Sequence, residues 1–182
     1  GVEFAKKMVF NSLEGILNPS FSEIDELYQD EDLINNLQRE ITQYVVEISK
    51  RPLSDESSIM VPAMINSINN IERIGDHSVE IVKLVNTKKE KDLIFTENAN
   101  EELKILRNFV VEMMEKCINV LKTGDLKILH AIKNLEDKVD EYSHDLEIHH
   151  IRRLEEGSCT IESGVVFLEI INHYERIADH VY

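Results

Sequence analysis

Apolar residues recur along the chain at three- and four-residue intervals, with no sustained alternation, and the pattern is broken at only a few points. This predicts helices throughout. Val2, Ala5, Met8, Val9, Leu13 and Ile16 place a first amphipathic helix over residues 2–17, ended by Asn18-Pro19-Ser20 because proline disfavours helix at the residue before it. Ile24, Leu27, Ile34, Leu37, Ile41 and Val45 trace a second over about 23–50, stopped by Arg51-Pro52-Leu53. A third, capped by Ser54 or Asp55, runs to about Lys88, with either a kink or a late start at Pro62.

Residues 88–98 are polar without a period and read as a connection. Asn98-x-x-Glu101 offers a capping-box start for a fourth helix along Leu103, Leu106, Val110, Met113, Cys117 and Leu121. Gly124 suits its end, and Asp125 caps a long fifth helix from about Leu126 to Glu155. After Glu156-Gly157-Ser158, Thr160 or Ser158 caps a sixth.

The third and sixth helices carry the same text. Glu72, Arg73, Ile74, Asp76 and His77 return 103 residues later as Glu175, Arg176, Ile177, Asp179 and His180, and Ile68-Asn69 as Ile171-Asn172. A match of this length at fixed spacing is an internal repeat. The expected organisation is therefore one all-α domain over 1–182. Two three-helix repeats make it up, about 1–88 and 98–182, with Ile68 and Ile171 buried at equivalent positions.

Within each copy, Glu and Asp four residues apart lie one turn above the other at the margin of the apolar face. In the first copy, Asn69, Glu72, Asp76 and Glu80 form the stripe beside Ile68, Gly75, Val79 and Val82. Such carboxylates can share a cation through oxygen ligands, or simply form surface ion pairs. Glu136-x-x-x-Asp140 supplies a further pair in the second repeat, aligned with Glu31-x-x-x-Asn35 in the first. The second repeat should thus hold the more complete cluster, from Glu136, Asp140, Glu175 and Asp179, and the first a weaker one around Glu31, Glu72 and Asp76. His77 and His180 fall about 100° past each aspartate, which turns them off the stripe as exposed groups or as outer partners of the ligands.

Composition narrows the function. There are 20 basic against 35 acidic residues, a formal charge of −15, which repels nucleic-acid phosphates and suits cations or a basic protein patch. No apolar run is long enough for a membrane helix, and no secretory signal is visible. Cys117 and Cys159 are too far apart for a CxxC motif, and Cys117 falls on an apolar stripe as a packed thiol, which fits a reducing interior. No phosphate-binding Gly-rich loop, nucleophile elbow or zinc-protease helix is present. Glu141-x-x-His144 and Glu147-x-x-His150 raise a di-iron carboxylate bundle as a rival. Both lie on one helix, whereas that site needs facing pairs. A metal-free helical docking scaffold is the second rival.

Two copies of E-R-I-[GA]-D-H, each closing a three-helix unit, resemble the PhoU-like family of phosphate-uptake regulators across essentially the whole chain. The resemblance implies a non-enzymatic, six-helix regulatory protein whose ExxxD motifs hold iron or zinc ions. It carries the metal role onto Glu72, Asp76, Glu136, Asp140, Glu175, Asp179 and Glu31, with Asn35 departing from the expected acid. A narrower likeness lies in Gly157, Cys159 and Gly164, which resemble the cytoplasmic C-terminal region of bacterial sodium/phosphate cotransporter-type proteins. That likeness implies a cytoplasmic domain tethered to the membrane, with the transporter's membrane part or a regulatory protein as partner, and it leaves room for a homo-oligomer. The chain opens within an amphipathic helix and stops three residues after Asp179, so a fragment, or a chain with an excluded tail, is the expectation.

Overall fold

The computed structural model describes residues 1–18, 20–21, 24–50 and 54–182. Among these, every regular element is helical: α1 Val2–Asn11, α2 Glu14–Leu17, α3 Ile24–Ser49, α4 Asp55–Glu90, α5 Glu97–Thr123, α6 Leu129–Glu155 and α7 Ile161–Val181. With α1 and α2 taken as one broken helix, these are six helices in two three-helix repeats. The two motif helices, α4 and α7, pack on each other along the seam between repeats, α5 packs on α6, and α3 packs on α4. Ile68 and Ile171 are buried at matching places.

The caps follow local chemistry. The Ser54 hydroxyl accepts from Ser57 N at 3.2 Å, and the Thr160 hydroxyl from Ser163 N at 3.1 Å. Gly124, at φ +69°, closes α5 in the left-handed conformation that costs glycine least.

Several expectations need correction. The first helix is not continuous over 2–17, because Ser12 and Leu13 interrupt it. Ser12 Oγ donates to Val9 O at 2.8 Å and pairs with the fully buried Tyr174 hydroxyl at 3.0 Å, so a contact from α7 fixes the break. Helix α4 starts at Asp55 and contains Pro62, so it does not start late. The connection between repeats is shorter than 88–98, since α4 reaches Glu90 and the cap of α5 is Thr96, not Asn98. Thr96 Oγ1 accepts from Ala99 N at 3.1 Å. Asp125 caps a 3-10 turn over Leu126–Ile128, and α6 itself begins at Leu129. Cys117, by contrast, packs half-buried against the core as its apolar stripe implied, and burial raises its thiol pKa. The proposed stop at Arg51-Pro52-Leu53 and the Pro19 of the first break lie outside the described residues.

The end of α6 is locked to the start of α7 by a ring against a backbone. A Cβ on Gly164 would lie 2.1 Å from His150 Cε1. His150 is only 4% exposed and packs against Phe167, so its ring has little room to retreat. Gly164→Ala should therefore destabilise the protein by about 1–2 kcal/mol, overpacking outweighing the helix-propensity gain of alanine. Urea unfolding checks this; a variant as stable as the parent would show that the ring can move freely.

Candidate metal centre

The acidic stripes stand where the helical register puts them, but the helix crossings decide which carboxylates meet. Glu136 and Asp140 project one turn apart from α6, and Asp179 projects from α7 towards them. Ligand oxygens of these three lie within 4.8 Å of one another, the grouping of metal-ligating side chains found among the described residues. Glu175, one turn before Asp179, stays outside this closest group but feels it electrostatically. Burial, then the charges of Asp140 and Asp179, raise its pKa. Asp140 is raised in the same way, by partial burial first and then by Glu136 and Asp179.

Lys133 partly offsets this crowding. Its ammonium forms an ion pair with Glu136 and lies 3.0 Å from Asp137, and those two bonds push its own pKa upward. It also sits over the Tyr182 ring at 5.0 Å. The i−3 spacing of Lys133 from Glu136 was visible in the sequence, and the residue competes with any cation for that carboxylate.

The first repeat presents a looser version. Glu31, Asp76 and Glu80 line one open cleft on α3 and α4, together with Arg73, Lys83, His77 and His173. Burial raises the pKa of Glu31, with Asp76 and Asp32 adding to it. Burial also raises Glu72, with Asp76 adding, and Asp76, against the pull of Arg73. Glu80 is held by Lys83 at 2.6 Å. Asn69, at the head of the stripe, accepts from Gln38 Nε2 at 3.1 Å and so is tied to α3. Among the described residues, no three ligand atoms converge here as they do on α6 and α7.

The motif histidines are not exposed groups off to the side. His77, His173 and His180 are half-buried in the α4–α7 seam. Burial and the neighbouring rings of His173 and His180 push His77 down to about 4, and burial lowers the other two. His173 was not singled out from the sequence, although its counterpart 103 residues earlier is Asn70 and the difference was readable.

The architecture is thus a two-repeat helical bundle whose closing helices carry carboxylates that face a neighbouring helix. The PhoU domain family matches residues 2–85 and again 103–182, and the chain belongs to that family. It is a family of regulatory accessory proteins, not of enzymes. Among curated relatives, the phosphate-specific transport system accessory protein PhoU homolog of Clostridium acetobutylicum is 21% identical over 96% of this chain and 80% of its own length. PhoU homolog 1 of Thermotoga maritima is 23% identical over 85% of this chain and 66% of its own. The crystal structure of PhoU from Pseudomonas aeruginosa superposes with a TM-score of 0.87 at 17% identity, covering 99% of this chain and 86% of that one. The phosphate transport system regulatory protein PhoU from Streptococcus pneumoniae gives 0.70 at 20% identity, covering 99% and 85%.

Proposed function

We propose that this chain is a metal-binding regulator of phosphate-specific transport, acting at the cytoplasmic face by docking to a transporter or to a regulatory protein. Membership in the PhoU family carries the reading, since relatives along most of the chain are accessory proteins of phosphate-specific transport. The convergence of Glu136, Asp140 and Asp179 supports the metal. An all-carboxylate donor set fits a cation that accepts oxygen ligands, which suits iron better than zinc. Glu136, Asp140 and Asp179, with Glu175 alongside, would hold it. Glu31, Glu72 and Asp76 would form the weaker counterpart in the first repeat. No helix among the described residues is long and apolar enough to cross a membrane, so membrane contact would come through a partner.

A cotransporter setting is the narrower form of the same proposal. Its support is Gly157, Cys159 and Gly164 at the entry to α7, where His150 Nδ1 lies 3.7 Å from the Cys159 sulfur and its ring rests on Gly164. The sequence upstream of Gly1 in the full-length gene product discriminates: transmembrane helices there support it, and their absence leaves a free-standing regulator.

The metal reading is tested by elemental analysis of protein purified without chelator. Glu175→Gln combined with Asp179→Asn should lose most of the bound metal; equal content in both proteins removes the cluster. For the regulatory reading, deleting the gene should alter how phosphate uptake depends on phosphate supply, and the wild-type gene should restore it. Unaltered dependence would leave a structural scaffold only.

A further inference from the structure

Gly157, Cys159 and Gly164, at the entry to α7, take no part in the carboxylate stripes, and all three serve one imidazole. His150, near the end of α6, is 4% exposed and rests on the Phe167 ring. Gly164 leaves the space for it, since a Cβ there would also lie 2.2 Å from His150 Nε2. Gly157, at φ +70°, turns the chain back after α6 and so returns Cys159 to the buried ring. The side chain of His150 has one hydrogen-bond partner among the described residues, the Cys159 sulfur, 3.7 Å from Nδ1.

A thiol within reach of a fixed imidazole is the arrangement of a nucleophile with its base. Burial first, and the Arg153 charge second, lower the His150 pKa, so the ring is neutral at pH 7 and Nδ1 can accept the S–H. Packing on Phe167 and Gly164 does the orienting that a third group does in such pairs. Cys159 stands one residue before Thr160, the N-cap of α7, where the positive end of the helix favours a developing thiolate. The sulfur is also reachable. Cys159 is half-buried and lines an open cleft of about 320 Å³ with Ile94, Ser158, Ser163 and Asp92. Asp92 is the one charged residue among those that line it, so the cleft admits a neutral reagent and repels an anionic one. Cys117 has none of this: it makes no side-chain hydrogen bond among the described residues, and burial raises its thiol pKa.

We propose that Cys159 is a redox modification site, at which His150 acts as base and a small neutral disulfide entering the cleft is captured as a mixed disulfide. The thiol proton passes to His150 Nδ1 as the sulfur attacks one sulfur of the reagent. A new S–S bond forms, the reagent's S–S bond breaks, and the leaving thiolate takes the proton from His150. The Cys159 sulfur is oxidised to the disulfide level and one reagent sulfur is reduced to a thiol; excess small thiol reverses the exchange. This inference does not depend on the transport or the metal reading.

The test is the rate of modification by bis(2-hydroxyethyl) disulfide at pH 7, which is neutral and so insensitive to the protein's net charge. Each cysteine is followed by peptide mass spectrometry, in the folded protein and in urea. An ordinary thiol is only a few per cent thiolate at this pH, so activation has room to show as about a tenfold gain. Cys159 should therefore react about tenfold faster folded than unfolded despite its partial burial, whereas Cys117 should react more slowly folded. His150→Leu, checked for folding by circular dichroism, should bring Cys159 down to the unfolded rate or below. The wild-type comparison needs no variant, so it decides even if His150→Leu does not fold. The proposal is overturned if wild-type Cys159 reacts no faster folded than unfolded, which would leave it a shielded donor to a structural imidazole. It is equally overturned if folded His150→Leu keeps the gain, which would show that His150 is not the base.

Discussion

Arg107→Ala should cost about 3–5 kcal/mol, a large fraction of the stability of a domain this size. Arg107 is 3% exposed, and its guanidinium forms an ion pair with Glu14 of α2. It also donates to Phe10 O at 3.1 Å and stacks over the Phe10 ring at 4.2 Å. It is thus the bolt between α5 and the broken first helix. Truncating it leaves the Glu14 carboxylate, whose side chain is 16% exposed, without a counter-charge. The pair itself need not be a net stabiliser, because Arg107 Nε is buried without a partner. A double variant, Arg107→Met with Glu14→Met, should therefore recover much of the loss. Urea unfolding of the single and double variants decides it, and a single variant within about 1 kcal/mol of the parent would contradict the stranded charge.

That bolt was not legible in the sequence, and the reason is general to this chain. Helix periodicity is a local property, so the six helices, the repeat and the caps at Ser54, Gly124 and Thr160 could be read directly. What failed depends on contacts from elsewhere in the chain. The break at Ser12–Leu13 is fixed by Tyr174, 162 residues away, and no local breaker announces it. Pro62 was expected to kink α4 or delay its start, and the start is not delayed, because α4 begins at Asp55, seven residues before the proline.

The acidic stripes followed from register alone, but register cannot say which carboxylates converge. That depends on how α6 crosses α7, and the crossing selects Asp179 to meet Glu136 and Asp140 while Glu175 stands one turn back. The histidines show the same limit. A rotation of about 100° past the aspartate turns His77 and His180 off the stripe, but not towards solvent, because α4 and α7 meet along that face.

Neutralising Asp140 should change the sign of its effect according to whether a cation is present. Partial burial, with the charges of Glu136 and Asp179, raises the Asp140 pKa above its ordinary 3.8. A carboxyl raised on folding binds its proton more tightly in the folded state. Its stabilising contribution is complete below the ordinary value and is lost as pH rises through the raised one. At pH 7 the full penalty stands. In chelator at pH 7, Asp140→Asn should therefore unfold at a higher temperature than the parent, by roughly 2–4 °C once the exposure of the group is allowed for. That advantage should shrink towards pH 4, as the parent carboxyl takes up its own proton. With an oxygen-preferring divalent cation at about 100 times its dissociation constant, the parent should gain about 2.7 kcal/mol, or about 5–10 °C, and the order of the two proteins should invert. The gain should be small in Asp140→Asn, which has lost an anionic ligand and half of the repulsion that a cation would relieve. Thermal melts of both proteins at pH 4 and 7, with chelator and with metal, read all four corners. If Asp140→Asn melts below the parent in chelator at pH 7, the group is held by partners that outweigh its neighbours' charge, and the cluster is a set of surface ion pairs without affinity for a cation.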